Sequence, residues 1–213
     1  MAVRLWTDDV FIIDSPKFCI GIGWDECNDY CSFIPDVSAF LIDGNRKLIS
    51  DEYLVFYNTA KRVNVNDHSV VSSNLSNGHI DYHTRPVDPD LSVIGSTEFC
   101  GNESEDNEDV DTINIDLSRV NPKVQEIVIT LSIYGYDTIN LKFKDINRIY
   151  ARYYTIGNEV DGMENCRYDL SLDYSSCASI EICRIYRYNA KWAFQALGIG
   201  HTRGLDELVE KFT

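Results

Sequence analysis

From Glu126 to Tyr134 the chain alternates without a break: Ile127, Ile129, Leu131 and Ile133 fall on one side of an extended strand, and Val128, Thr130 and Ser132 on the other. A helix repeats its side chains about every 3.6 residues and cannot gather such a pattern on one face, so the run demands a sheet with a buried side. The same period predicts strands over Phe18 to Gly23, Ser38 to Ile42, Tyr53 to Tyr57, Thr112 to Leu117, Ile146 to Ile156, Ser179 to Tyr188 and Lys191 to Leu197. Helical patterning is confined to the end, where Leu205, Leu208, Val209 and Phe212 follow Gly204 and predict a short helix from Gly204 to Phe212. The fold class that follows is all-β: a β-sandwich of two mostly antiparallel sheets with a short C-terminal helix.

Turn chemistry fixes two connections. Asp43-Gly44-Asn45 separates Phe40-Leu41-Ile42 from Lys47-Leu48-Ile49 and reads as a hairpin turn, because Gly and Asn accept positive φ. Tyr188-Asn189-Ala190-Lys191 is the second hairpin turn. From Thr59 to Asp111 the chain is rich in Asn, Ser and Asp, carries Pro86 and Pro89, and lacks long apolar alternation. It reads as an extended loop inserted in a single domain, with a short hairpin of Val63 to Val65 and Ser69 to Val71 inside it.

In 213 residues there are 34 acidic and 19 basic side chains, a formal charge of -15. Such a charge repels phosphate backbones and anionic lipid surfaces, which excludes nucleic acid as the expected partner. No stretch approaches the roughly 20 apolar residues that cross a bilayer, and Arg4, Asp8, Asp9 and Asp14 interrupt the N-terminal region. Neither membrane insertion nor a secretory signal is expected. Seven cysteines, an odd number without a dense framework, fit reduced thiols in a cytoplasmic protein.

Oxygen donors collect where strands end. Asp25 closes Gly21-Ile22-Gly23-Trp24, Asp36 opens Val37-Ser38-Ala39-Phe40, Asn58 follows Val55-Phe56-Tyr57, and an acidic run covers Glu103 to Asp111. A sheet fold can bring such ends to one rim, and carboxylate and amide oxygens suit a hard cation, calcium above all.

These segments resemble the TerD domain of tellurium-resistance and stress-response proteins. The resemblance rests on Gly21-Ile22-Gly23-Trp24-Asp25, on Asp36-Val37-Ser38-Ala39-Phe40-Leu41 and on Ser50-Asp51-Glu52-Tyr53-Leu54-Val55-Phe56-Tyr57-Asn58. It continues through Ile115-Asp116-Leu117-Ser118-Arg119-Val120, Tyr168-Asp169-Leu170-Ser171 and Tyr186 to Phe194 with Gly198-Ile199-Gly200, so that it covers about residues 14 to 212. It implies a β-sandwich that binds calcium through acidic loops, without established catalysis, in bacterial tolerance of tellurite, phage or colicins. It also implies a binding or scaffold role beside other Ter-type proteins, membrane-embedded ones included. Carried over by position, the implied ligands are Asp25, Asp36 and Asn58, with Asp109 and Asp111 and the adjacent Glu108 from the later loop. The first of two aspartates that usually flank a leucine before Ser-Ala-Phe falls on Ile34 here. The resemblance therefore supports one calcium site and removes a carboxylate from a second. A metal-independent interaction module of the same fold is the alternative.

Other constellations lead nowhere comparable. His79 and His83 have helical metal-ligand spacing but lie between Gly78 and Pro86 in a polar loop, and Cys27 with Cys31 has no partner pair at zinc spacing. His201 among Gly198, Gly200 and Gly204 matches no phosphate-binding loop. No nucleophile, base and carboxylate stand in a hydrolase signature.

Overall fold

The computed structural model describes residues 2–26, 35–72, 83–96, 109–139, 142–155 and 164–213. In chain order its strands are β1 (Val3–Leu5), β2 (Val10–Ile13), β3 (Lys17–Glu26), β4 (Pro35–Ile42), β5 (Leu54–Val55), β6 (Lys61–Asn64), β7 (Val70–Ser72) and β8 (Thr84–Pro86). Then come β9 (Val93–Ile94), β10 (Asp111–Asp116), β11 (Glu126–Ile133), β12 (Ile146–Thr155), β13 (Cys166–Asp169), β14 (Ser179–Tyr188) and β15 (Lys191–His201). One sheet has the order β1-β13-β12-β3-β10-β9 and the other β2-β15-β14-β11-β4-β5. All their pairings are antiparallel except β1 with β13. The two sheets face each other across Phe18, Ile20, Ile22, Ile113, Ile115 and Tyr153 from the first and Ala39, Leu41, Ile127, Ile129, Leu131 and Phe194 from the second, as alternation requires.

The second sheet departs from the one-face-wet expectation. Along β11 every residue after Glu126 is buried, Val128, Thr130 and Ser132 included. The reason is the C-terminal helix (Leu205–Phe212), whose Leu208 and Phe212 cover Phe40, Ile42, Leu54, Val128 and Leu197 on the outward face. Its last turn is stitched down by the Leu48 N–H, which donates to the Phe212 carbonyl at 2.7 Å.

A bulge redirects β14. Against β11, Glu181 pairs with Thr130 but Cys183 with the adjacent Ile129, so Ile182 is the extra residue and both Ile182 and Cys183 enter the core. Glu181 and Arg184 consequently share the outward face. Glu181 is fully buried there, with Oε1 2.6 Å from His201 Nε2, an ion pair to Lys211 Nζ, and Arg46 3.8 Å from Oε2.

Several boundaries differ from the sequence expectation. Tyr53 to Tyr57 shrinks to the two residues of β5, because Asp51–Tyr53 forms a 3-10 turn. The Asp43-Gly44-Asn45 turn forms, yet beyond it only Leu48 bridges back to Ile42. The segment 59 to 111 holds more structure than an extended loop: β6 pairs with both β7 and β8, and β9 joins the first sheet. Buried Arg62 organises it, donating from Nε to Thr84 Oγ1 at 2.8 Å, from Nη1 to the Tyr57 carbonyl at 2.9 Å and from Nη2 to the Thr84 carbonyl at 3.1 Å. Arg85 ties β8 to the first sheet through Asn114 Oδ1 at 2.7 Å and the Gly95 carbonyl at 2.6 Å.

Candidate functional site: an acidic rim at one end of the sandwich

Connectivity defines the rim. β3 ends at Glu26 and β4 starts at Pro35, so Asp25 and Asp36 belong to the same end of the sandwich. Ile133, the last residue of β11, pairs with Pro35, and Ile146, the first of β12, pairs with Glu26, so those ends join it. β5 runs antiparallel to β4 with Val55 opposite Ala39, which carries the following residues toward Asp36. The Tyr57 ring meets Tyr134 edge-on at 6.0 Å, and exposed Asn58 therefore reaches the same end. Asp111 opens β10 opposite Ile22.

One end is not one pocket. Alternation puts Asp25 on the outward face of the first sheet, with Gly21 and Gly23, and Asp36 on the outward face of the second, with Ser38 and Phe40. Asp111 is buried and faces inward, in step with Ile113 and Ile115. Among the described residues no three His, Cys, Asp or Glu side chains converge as a metal-binding group. Glu108 lies outside the described residues, as do His79, Cys27 and Cys31.

Two of the expected donors already face cations. Asp25 Oδ2 is 3.3 Å from Arg148 Nη1, on the surface. Asp109 is enclosed: Arg152 Nε donates to its Oδ1 at 2.7 Å and Oδ2 at 2.9 Å, and the Tyr150 hydroxyl donates at 3.2 Å. Burial and the neighbouring carboxylate push the Tyr150 hydroxyl well above its ordinary pKa, so it stays a donor. For Arg152, burial opposes the charged form, but the hydrogen bonds and field of Asp109 outweigh it and raise its pKa.

The Gly-x-Gly motif is explained by this cluster. A β-carbon on Gly21 would lie 2.0 Å from Asp109 Oδ2, and one on Gly23 2.1 Å from the Tyr150 ring. The two glycines therefore leave a bare strip of sheet on which the Asp109 carboxylate and the Tyr150 ring rest. Beside it, register aligns Arg4, Arg167 and Arg152 in one row across β1, β13 and β12. The Arg167 guanidinium stacks 3.7 Å from the Tyr150 ring centroid and pairs with Asp169 at 2.8 Å. Arg4 pairs with Asp169 at 2.8 Å. Sequence reasoning missed these arginines; their signal was Tyr150-Ala151-Arg152, alternating in step with Gly23-Ile22-Gly21.

The donor set of the rim is oxygen throughout, which suits a hard cation. Asp25, Asp36, Asn58 and Asp111 match a hard cation in donor chemistry and in the end they share, while Asp25, Asp36 and Asp111 stand on different faces of the sandwich. Asp109 fits less well, because a cation there would have to share it with a guanidinium.

Fold and rim together define a β-sandwich with an acidic, loop-rich end and a helix-covered outer face. Residues 13–212 match the TerD domain model. The chain belongs to the TerD family. It is 26% identical over 196 residues to tellurium resistance protein TerD of an Alcaligenes species, covering 91% of this chain and 85% of that one. It is 27% identical over 199 residues to general stress protein 16U of Bacillus subtilis, covering 92% and 86%. The crystal structure of a homologue of telluride resistance protein (TerD) from Streptomyces coelicolor superposes with a TM-score of 0.54 at 12% identity, over 91% of this chain and 94% of that one, and supports the fold. Among the described residues no helix is long and apolar enough to cross a membrane.

Proposed function

We propose that this chain is a non-enzymatic, cytoplasmic stress-response domain that takes up calcium at its acidic rim and serves as a binding or scaffold partner for other Ter-type proteins. The observation that supports it is the delivery of Asp25, Asp36, Asn58 and Asp111 to one end by three strand connections, β3–β4, β5–β6 and β9–β10. Carboxylates drawn to one end repel each other, and a bound divalent ion relieves that repulsion and stabilises the folded state by mass action. Homologues named for tellurium resistance and general stress support the physiological setting.

Calorimetric titration of chelator-stripped protein tests the metal. Saturable uptake, a raised melting temperature and loss of both in Asp25→Ala and Asp36→Ala are expected; a flat trace at about millimolar calcium refutes it. A second reading, a metal-independent interaction module, is favoured by Arg148 and Arg152, which already supply positive charge to Asp25 and Asp109. Under that reading, chelation leaves the melting temperature unchanged.

A further inference from the structure

The N-terminal strand β2 is an edge of the second sheet, bonded on one side to β15 and on the other to no described strand. Its inward residues are spent: Ile13 is in the core, and Phe11 packs against Tyr153 at 5.5 Å between ring centroids. The outward ones are not. Val10 is 43% exposed, Ile12 40%, and nearby Trp6 71%. An apolar edge strand with unused backbone groups is a template for another strand. Natural edges are usually blunted by Lys, Pro or a bulge, and Val10 to Ile13 carries none of these.

Charge decides what fits. Asp8 and Asp9 precede the strand and Asp14 follows it; all three are exposed, and none is in an ion pair among the described residues. A second copy of this chain is the wrong partner. Antiparallel self-pairing centred between Phe11 and Ile12 sets Val10 against the partner copy's Ile13, and so Asp9 against its Asp14, twice over. Like charges directly opposed on neighbouring strands destabilise the pairing, and the -15 formal charge adds to the repulsion.

We propose that β2 is a docking edge for an extended segment of another protein, apolar at alternate positions and flanked by Lys or Arg at both ends. Strand addition supplies main-chain hydrogen bonds, the alternate apolar side chains cover Val10 and Ile12, and the basic flanks meet Asp8, Asp9 and Asp14. Trp6 closes over the added strand. The family match begins at residue 13, so Val10, Ile12 and Trp6 lie outside the matched residues. The inference is independent of calcium.

The test uses the full chain in chelator, so that its outcome is separate from that of the metal reading. The probe is a synthetic peptide of alternating valine and threonine with a lysine pair at each end. Saturable binding is expected, with a blue shift of tryptophan emission that Trp6→Phe removes and amide shifts confined to β2 and its flanks. The same peptide with glutamate ends should bind at least about tenfold more weakly. Ile12→Lys, a surface change that leaves the melt intact, should abolish binding, and Asp9→Asn with Asp14→Asn should weaken it and flatten its salt dependence. Absence of binding, equal binding of the glutamate peptide, or unchanged binding by Ile12→Lys overturns the proposal. Sedimentation of the protein alone as a dimer that Ile12→Lys dissociates also overturns it and assigns the edge to a second copy.

Discussion

The Asp109 carboxylate rests on the backbone of Gly21, so closely that a β-carbon there would meet Oδ2 at 2.0 Å. Gly21→Ala must therefore push Asp109 out of its paired geometry with Arg152. Overpacking of this kind costs about 1–3 kcal/mol, and a buried guanidinium loses part of its partner as well. Urea denaturation should show a lower midpoint with an unchanged slope. Gly44→Ala is the control, since a β-carbon there meets only the Gln125 side chain at 3.8 Å.

Arg152→Gln examines the same contact from the other side. The Asp109 side chain is almost wholly enclosed, so deleting its cation leaves a buried carboxylate facing the neutral Tyr150 hydroxyl. Removing one member of such a pair costs about 3–5 kcal/mol. The calcium reading adds a signature: the vacated carboxylate becomes free for a divalent ion, and calcium should raise the melting temperature of Arg152→Gln more than that of the wild type. Equal shifts would detach Asp109 from the rim.

Acid should loosen the C-terminal helix through Glu181. Burial pushes the Glu181 carboxyl up, but hydrogen bonds from His201 and Lys211, with their charges, outweigh it and hold the group below its ordinary value near 4.5. A depressed folded-state value stabilises the fold fully above the unfolded value, and that contribution is lost as pH falls through the folded one. Stability should decline below about pH 4.5. Glu181→Gln should remove that part of the decline, and at neutral pH lower the melting temperature, since Lys211 then stands over an uncharged partner. Thermal melts of the two proteins across the acid range provide the comparison.

The strands that were readable in advance are those whose two faces differ in polarity. Ser179 to Tyr188 is legible from end to end because Ile180, Ile182 and Ile185 stand against Glu181 and Arg184, although the bulge at Ile182 has no mark in the pattern. β1 and β13 were missed because each is short and their parallel pairing joins residues far apart in sequence. The hairpin of β6 and β7 was legible, but not the pairing of β6 with β8, which depends on Arg62 finding Thr84 and the Tyr57 carbonyl across the insertion. For the rim, sequence identified the oxygen donors and the end they share. It did not disclose that alternation turns Asp25, Asp36 and Asp111 toward three different sides, or that an arginine had taken Asp109.

The β14–β15 hairpin contains a correctable strain. Asn189 and Ala190 form its two-residue loop with φ of 47° and 63°, the left-handed pair that such turns require. Asn accepts that region readily, whereas the Ala β-carbon crowds the following carbonyl at a cost of roughly 1–2 kcal/mol. Ala190 is exposed, so nothing else depends on its methyl group. Ala190→Gly relieves the crowding and gives back part of the gain through the greater freedom of the unfolded chain. The net expectation is about 0.5–1 kcal/mol of added stability, read as a higher urea midpoint. Ala190→Val should act in the opposite direction, because a branched β-carbon fits the left-handed region worst. If the glycine variant is no more stable and the valine variant no less, the hairpin has room to rearrange, and its positive φ values do not limit the stability of the second sheet.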